Sequence, residues 1–131
     1  MEDRLSFKDL LAIAEETLEV SADELEQTVC IFRAEASLAA PFARIRGVDL
    51  HRDPVERAAI CAVRLIRSRP FLAENRKVGY ECMREMLVRS GCRWRRQMED
   101  ADEVRGILER VESGEIGDAK FVEWVRSRVT A

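Results

Sequence analysis

Asp53-Pro54-Val55-Glu56-Arg57-Ala58-Ala59-Ile60-Cys61-Ala62-Val63-Arg64-Leu65-Ile66-Arg67-Ser68-Arg69-Pro70 is the stretch on which the fold turns. Asp53 is a helix cap, Pro54 takes the first helical position, where a missing N–H costs nothing, and Glu56 at the third answers the positive end of the helix. From Val55 to Ile66 small and branched apolar residues go round most of the circumference, which predicts a central helix packed on several sides. Pro70 ends it, because proline disfavours a helical residue before it and cannot donate the next backbone bond.

The same punctuation recurs outward from this helix. Upstream, Ser6 with Asp9 three residues on predicts a helix to about Glu19, with Leu5 stapled on Leu10 and with Leu10, Leu11, Ala14 and Leu18 facing inward. Ser21 with Glu24 repeats the device. Leu25, Val29 and Phe32 continue an apolar face, so that helix is expected to reach the vicinity of Ala36. Residues 40–52, with Pro41 and Gly47, show little periodicity and read as an exposed connection. Downstream, Asn75 is expected to cap a helix that presents Val78, Cys82, Met83, Met86 and Leu87 before Gly91 stops it. Val104, Ile107, Leu108 and Val111 mark another, closed by Gly114, and Asp118 is expected to cap a last one bearing Phe121, Val122 and Val125. No stretch alternates with a two-residue period and no internal repeat is present. The expected fold is all-α, a compact bundle of about six helices in one domain over residues 1–131.

Composition narrows the function classes. Apolar residues make up 47% and charged residues 36%, enough for a core and for a solvated surface. No apolar run approaches the roughly 20 residues needed to cross a bilayer, and the acidic start lacks the pattern of a signal peptide, so the expected location is the cytoplasm, with no membrane partner. Cys30, Cys61, Cys82 and Cys92 contain no paired zinc-like spacing; Cys61 and Cys82 fall in apolar helical patterns and read as small buried hydrophobes. His51 is the one histidine and reads as a surface residue before a helix, so no metal site is expected.

Charge is segregated along the chain. Residues 1–40 carry 3 basic and 10 acidic groups, residues 41–96 carry 14 and 6, and residues 97–131 carry 5 and 9. Arg64, Arg67, Arg69, Arg76 and Lys77 crowd a helix end, a turn and the next helix start, where free amides add to a positive field. That cluster suits phosphate. The competing reading is that these side chains face solvent or pair with the acidic ends.

Arg69-Pro70-Phe71-Leu72-Ala73-Glu74-Asn75-Arg76-Lys77 resembles the signature loop of the Fic/Doc family, written HPFx[DE]GN[KG]R. Leu10-Leu11, Asp53 to Ile66, Val78 to Gly91 and Gly114-Glu115-Ile116 to Trp124 look like the small Doc (death-on-curing) branch, so the resemblance covers most of the chain. Pro70, Phe71 and Asn75 match; Arg76 and Lys77 keep two basic residues in altered form. Arg69 stands at the histidine position, Ala73 at the acidic position and Glu74 at the glycine position.

The resemblance implies a fold and, through its departures, a function. Family members transfer AMP or phosphate from a nucleotide to a protein hydroxyl, with the histidine as general base, the acidic residue on magnesium, and the asparagine and following amides on phosphate. A guanidinium with a pKa above about 12 cannot act as that base, and a methyl group cannot hold magnesium. The site is therefore read as lacking the family's transfer chemistry, with magnesium binding not expected, while Asn75, Arg76, Lys77 and Arg69 remain to hold an anion or a nucleotide such as ATP. Pro70 and Phe71 scaffold the loop, and Glu74 is the remaining candidate for a displaced base or metal ligand. Tyr80 stands next at the pocket wall or packs; Trp94 and Trp124 read as core or interface anchors.

Three functions follow. The first is a degenerate Doc-like protein of toxin–antitoxin type that binds a nucleotide, a protein or an antitoxin-like peptide. The second is an active AMP- or phosphate-transferase using unconventional groups. The third is nucleic-acid binding through the basic middle, opposed by the net charge of −3 and by the lack of a recognisable nucleic-acid motif.

Overall fold

The computed structural model describes residues 3–95 and 100–130. Seven α-helices run through them: α1 Phe7–Leu18, α2 Ala22–Thr28, α3 Ile31–Ala39, α4 Pro54–Ser68, α5 Asn75–Arg89, α6 Ala101–Ser113 and α7 Asp118–Arg128. A 3-10 turn, Ala40–Phe42, leads into a hairpin of β1 Arg44–Ile45 and β2 Val48–Asp49; β3 Arg93–Trp94 pairs antiparallel with β4 Val129–Thr130. The all-α expectation holds, with these two small ribbons as additions.

Helix α4 is the axis. Asp53 Oδ1 accepts from the Glu56 amide at 2.9 Å, Pro54 sits in the first turn, and eight consecutive or near-consecutive residues from Ala58 to Ile66 are buried. Helices α3, α5, α6 and α7 all pack against it. The closest approach is to α5, where Gly79 leaves room for Ile66: a Cβ built on Gly79 would lie 3.0 Å from Ile66 Cγ1 and 3.2 Å from the Ala62 carbonyl oxygen. Leu10, Ala14, Leu65, Val78, Met83, Leu108 and Phe121, drawn from five helices, belong to one core.

At the N-terminus Ser6 and Asp9 form the reciprocal capping box, and α1 ends at Glu19 in the left-handed conformation. The expected long second helix is two helices. Val29 and Cys30 are extended, and the Cys30 amide donates to the Pro70 carbonyl oxygen at 2.8 Å. A bond to a distant loop replaces an intrahelical one and turns the chain. Phe32 consequently leaves the expected inward face and stands 83% exposed. Two caps also differ by one residue: Glu74, not Asn75, precedes α5, and Gly117, not Asp118, precedes α7. The 40–52 connection folds into its hairpin because Arg46 and Gly47 both take positive φ, at 52° and 78°, the two-residue turn whose twist matches paired strands.

Candidate functional site

The loop between α4 and α5 is fixed by backbone and by one buried side chain. Arg69 closes α4 in the left-handed conformation with φ 52°, its amide donating to Leu65 O at 3.1 Å. Pro70 and Phe71 are buried, as expected of scaffold residues. Asn75, 6% exposed, turns back on the loop: its Oδ1 accepts from the Phe71 amide at 2.9 Å and its Nδ2 donates to the Phe71 carbonyl oxygen at 3.0 Å. In this conformation the Asn75 amide serves the loop's own backbone, with one Nδ2 hydrogen outside these two bonds.

The other motif positions face outward. Leu72, Ala73 and Glu74 are exposed. Glu74 has φ 63°, a conformation that a residue without Cβ adopts at no steric cost, and its carboxylate lies 2.8 Å from Lys77 Nζ. The loop's donor set does not fit magnesium: Ala73 offers no oxygen from its side chain, and the Glu74 carboxylate is engaged by a lysine. Among the described residues no group of three potential ligands from His, Cys, Asp and Glu comes together.

The basic cluster is dispersed by pairing with the acidic ends. Arg67 reaches across to α6 and α7, donating to Val111 O at 3.0 Å, to Ile116 O at 2.9 Å and to Asp118 Oδ1 at 3.1 Å. Arg76 lies 3.9 Å from both Glu109 and Glu112. Elsewhere in the middle segment Arg57 meets Asp3 at 3.1 Å and Arg89 meets Asp9 at 3.2 Å, while Asp53 meets Arg126 of α7 at 2.8 Å. The hydrogen bonds from Arg89 and Arg126 hold the carboxyls of Asp9 and Asp53 below the usual aspartate value. Arg64 and Arg69 stay exposed, but a phosphate-tracking stripe needs contiguous unpaired cations, and the pairing of Arg67, Arg76 and Lys77 interrupts it.

Beside the loop lies a cleft of about 580 Å³ between α5 and α6, with Thr17 of α1 at its edge. Tyr80, Val104 and Leu108 give it an apolar wall; Glu74, Arg76, Lys77, Glu81 and Arg105 surround it with both signs of charge. Tyr80 is thus both packed and at the pocket wall. It meets Trp94 edge-on with centroids 5.7 Å apart, Trp94 meets Trp124 at 5.6 Å, and Trp124 stacks on Phe121 at 5.7 Å. These rings anchor the C-terminal helix. No protein-family model, no curated protein and no solved structure matches the chain. The cleft's chemistry is therefore read from its own residues.

Several lining residues had no signal in the sequence. Thr17 sits outside the apolar stripe of α1, and Arg105 belongs to a helix whose inner face alone is periodic; only the meeting of α1, α5 and α6 makes them neighbours. His51 is removed from the cleft. It shares a 2.7 Å hydrogen bond between Nδ1 and Glu56 Oε1, which fastens the hairpin's end to α4, and its side chain is only 19% exposed. The expected surface histidine is a half-buried tether. Cys61 and Cys82 are buried free thiols, Cys61 pushed up to about 12 by burial and Cys82 raised by the same cause. A thiol held protonated is a packing group, not a nucleophile. Among the described residues no helix is long and apolar enough to cross a membrane.

Proposed function

We propose that this chain is a degenerate Doc-like protein of toxin–antitoxin type that does not carry out nucleotide-dependent transfer and acts by holding a protein or peptide partner in the cleft beside the loop. One observation carries the reading. The groups that shape the loop, Pro70, Phe71 and Asn75, are buried and bonded, whereas the positions at which the family places its base and its metal ligand hold Arg69 and Ala73. The scaffold remains without the proton acceptor and without the hard oxygen ligand.

The cleft favours a partner that brings both apolar and charged groups. Its apolar wall of Tyr80, Val104 and Leu108 suits the side chains of an amphipathic helix, and the mixed rim of Arg76, Lys77, Arg105, Glu74 and Glu81 suits a polar edge of either sign. A free nucleotide is served less well, because Lys77 is paired with Glu74 and the Asn75 amide is turned to Phe71. An active transferase would need Glu74 as its base, and that carboxylate would first have to leave Lys77.

The test pairs two measurements on the purified chain. Radiolabelled transfer from ATP and other nucleoside triphosphates to candidate proteins is expected to be absent, and binding of the same nucleotides is expected to be weak and unchanged by magnesium. Coexpression with the neighbouring gene product is expected to yield a complex that Leu108→Glu disrupts. Transfer that vanishes on Glu74→Gln would overturn the proposal in favour of the active reading.

A further inference from the structure

Two further exposed apolar surfaces carry opposite charge, one adjoining the cleft and one on the hairpin. One is a groove of about 380 Å³ between the α1–α2 turn and the loop, where Val20 and Leu72 meet Glu19, Glu24, Glu74 and Lys77. Leu72 is 80% exposed, and the bond from the Cys30 amide to Pro70 O brings the start of α3, with exposed Phe32, up to the same loop. The wall on the α1–α2 side is acidic: Glu19 and Glu24 line it, and no lysine or arginine of that stretch does. An apolar groove with this rim selects an apolar partner that carries positive charge.

The hairpin has that chemistry. Ile45 and Val48 are cross-strand partners, so their side chains share one face, and they are 58% and 50% exposed; Leu50 follows at 48%. Arg44 is held internally by Gly47 O and by Asp49, but Arg46 and Arg52 are exposed and make no ion pair among the described residues. The apolar pair is therefore framed by two available guanidinium groups. We propose that the hairpin of one copy of this chain docks into the acidic groove of a second copy. The groove shares Thr17, Glu74 and Lys77 with the cleft, but the proposal does not rest on the partner-binding reading.

A contact made by a hairpin tip is small, and small contacts are weak and electrostatically sensitive. Sedimentation equilibrium of the full chain, in reductant so that Cys30 and Cys92 cannot cross-link, tests it over a range of about 5 to 500 μM. The expected result is a mass that rises with concentration at low salt and falls back as salt is raised. Leu72→Glu in the groove and Ile45→Glu on the hairpin should each weaken association by about tenfold or more, since each sets a carboxylate in the contact. Both sites are exposed, so circular dichroism should be unchanged. The deciding arm mixes the two variants: one keeps its hairpin and the other its groove, so the equimolar mixture should regain dimers and nothing larger. A monomer throughout the range, association indifferent to both substitutions, or a mixture that stays monomeric would each overturn the proposal. Because the readout is mass and not transfer, its failure is separate from that of the proposed function.

Discussion

Asn75→Ala separates a structural asparagine from a ligand-binding one. In the folded chain the Asn75 amide is the recorded partner of both the Phe71 amide and the Phe71 carbonyl, at 2.9 and 3.0 Å, in a loop where Phe71 is 4% exposed. Truncation leaves two buried backbone groups unpaired, at about 1–3 kcal/mol each, against which alanine returns about 0.7 kcal/mol or less of helix propensity. The expected net loss is about 1–5 kcal/mol. For a domain of this size that is a fall in Tm of roughly 4–18 °C. Urea titration should show the lower midpoint with an unchanged slope, since the surface exposed on unfolding is unaltered. Asn75→Asp sharpens the test: the carboxylate can accept from Phe71 N but cannot donate to Phe71 O, so that variant should be the less stable at neutral pH and recover as the acid form returns the donor. If Asn75→Ala unfolds within about 0.5 kcal/mol of the unaltered chain while anion binding is lost, the structural assignment is refuted.

Other perturbations follow from single contacts. Gly79→Ala drives a methyl group to 3.0 Å from Ile66 Cγ1 and 3.2 Å from Ala62 O; overpacking of about 1–3 kcal/mol should outweigh the roughly 1 kcal/mol gained in helix propensity, leaving a lower urea midpoint. Glu74→Gly removes a Cβ from a left-handed residue with φ 63°, so the midpoint should hold or rise, by up to about 1 kcal/mol. The folded-state pKa values of Asp9 and Asp53 lie below the ordinary value because Arg89 and Arg126 donate to them. Their contribution is then present in full above about pH 4 and lost as pH falls through the folded values, so acid titrations of Asp9→Asn and Asp53→Asn should show shallower acid limbs.

Local signals near the chain ends of each helix were legible because they are local. Ser6, Ser21 and Asp53 cap as their spacing requires, and the apolar girth of α4 places it at the centre of the bundle. What was not legible depends on partners far away in sequence. The break at Val29–Cys30 exists because Cys30 N finds Pro70 O, some forty residues on, and no pattern near residue 30 announces it. The hairpin strands are two residues long, too short for alternation, and their turn is Arg-Gly instead of the Asn-Gly that would advertise it. At the loop Pro70 and Phe71 are buried, and Asn75 turns its amide to the Phe71 backbone, a direction the sequence could not give because an asparagine at a helix start can face a ligand or a backbone equally well. The basic cluster looked like one patch in sequence; in space Arg67 and Arg76 turn to carboxylates of the C-terminal helices.

On the proposed Doc-like reading, the division of labour within the loop would let such a site lose chemistry without losing shape. Four contacts hold the turn: Cys30 N on Pro70 O, the two bonds of Asn75 to Phe71, and the burial of the Phe71 ring. None involves the side chain of residue 69, 73 or 74. Those three face solvent, so on that reading a base, a metal ligand and a glycine could be replaced there while the buried contacts persist. The cost is confined to Glu74, which adopts a backbone conformation better suited to glycine and whose carboxylate then neutralises Lys77. On the same reading Glu74→Gly alone would free the Lys77 cation, whereas transfer would require Arg69→His and Ala73→Asp as well. The triple variant should gain nucleotide binding before it gains turnover, because the cation returns with one substitution and the base and metal ligand need two more. Turnover in Arg69→His/Ala73→Asp with Glu74 left in place would show that the Glu74–Lys77 pair does not obstruct the site.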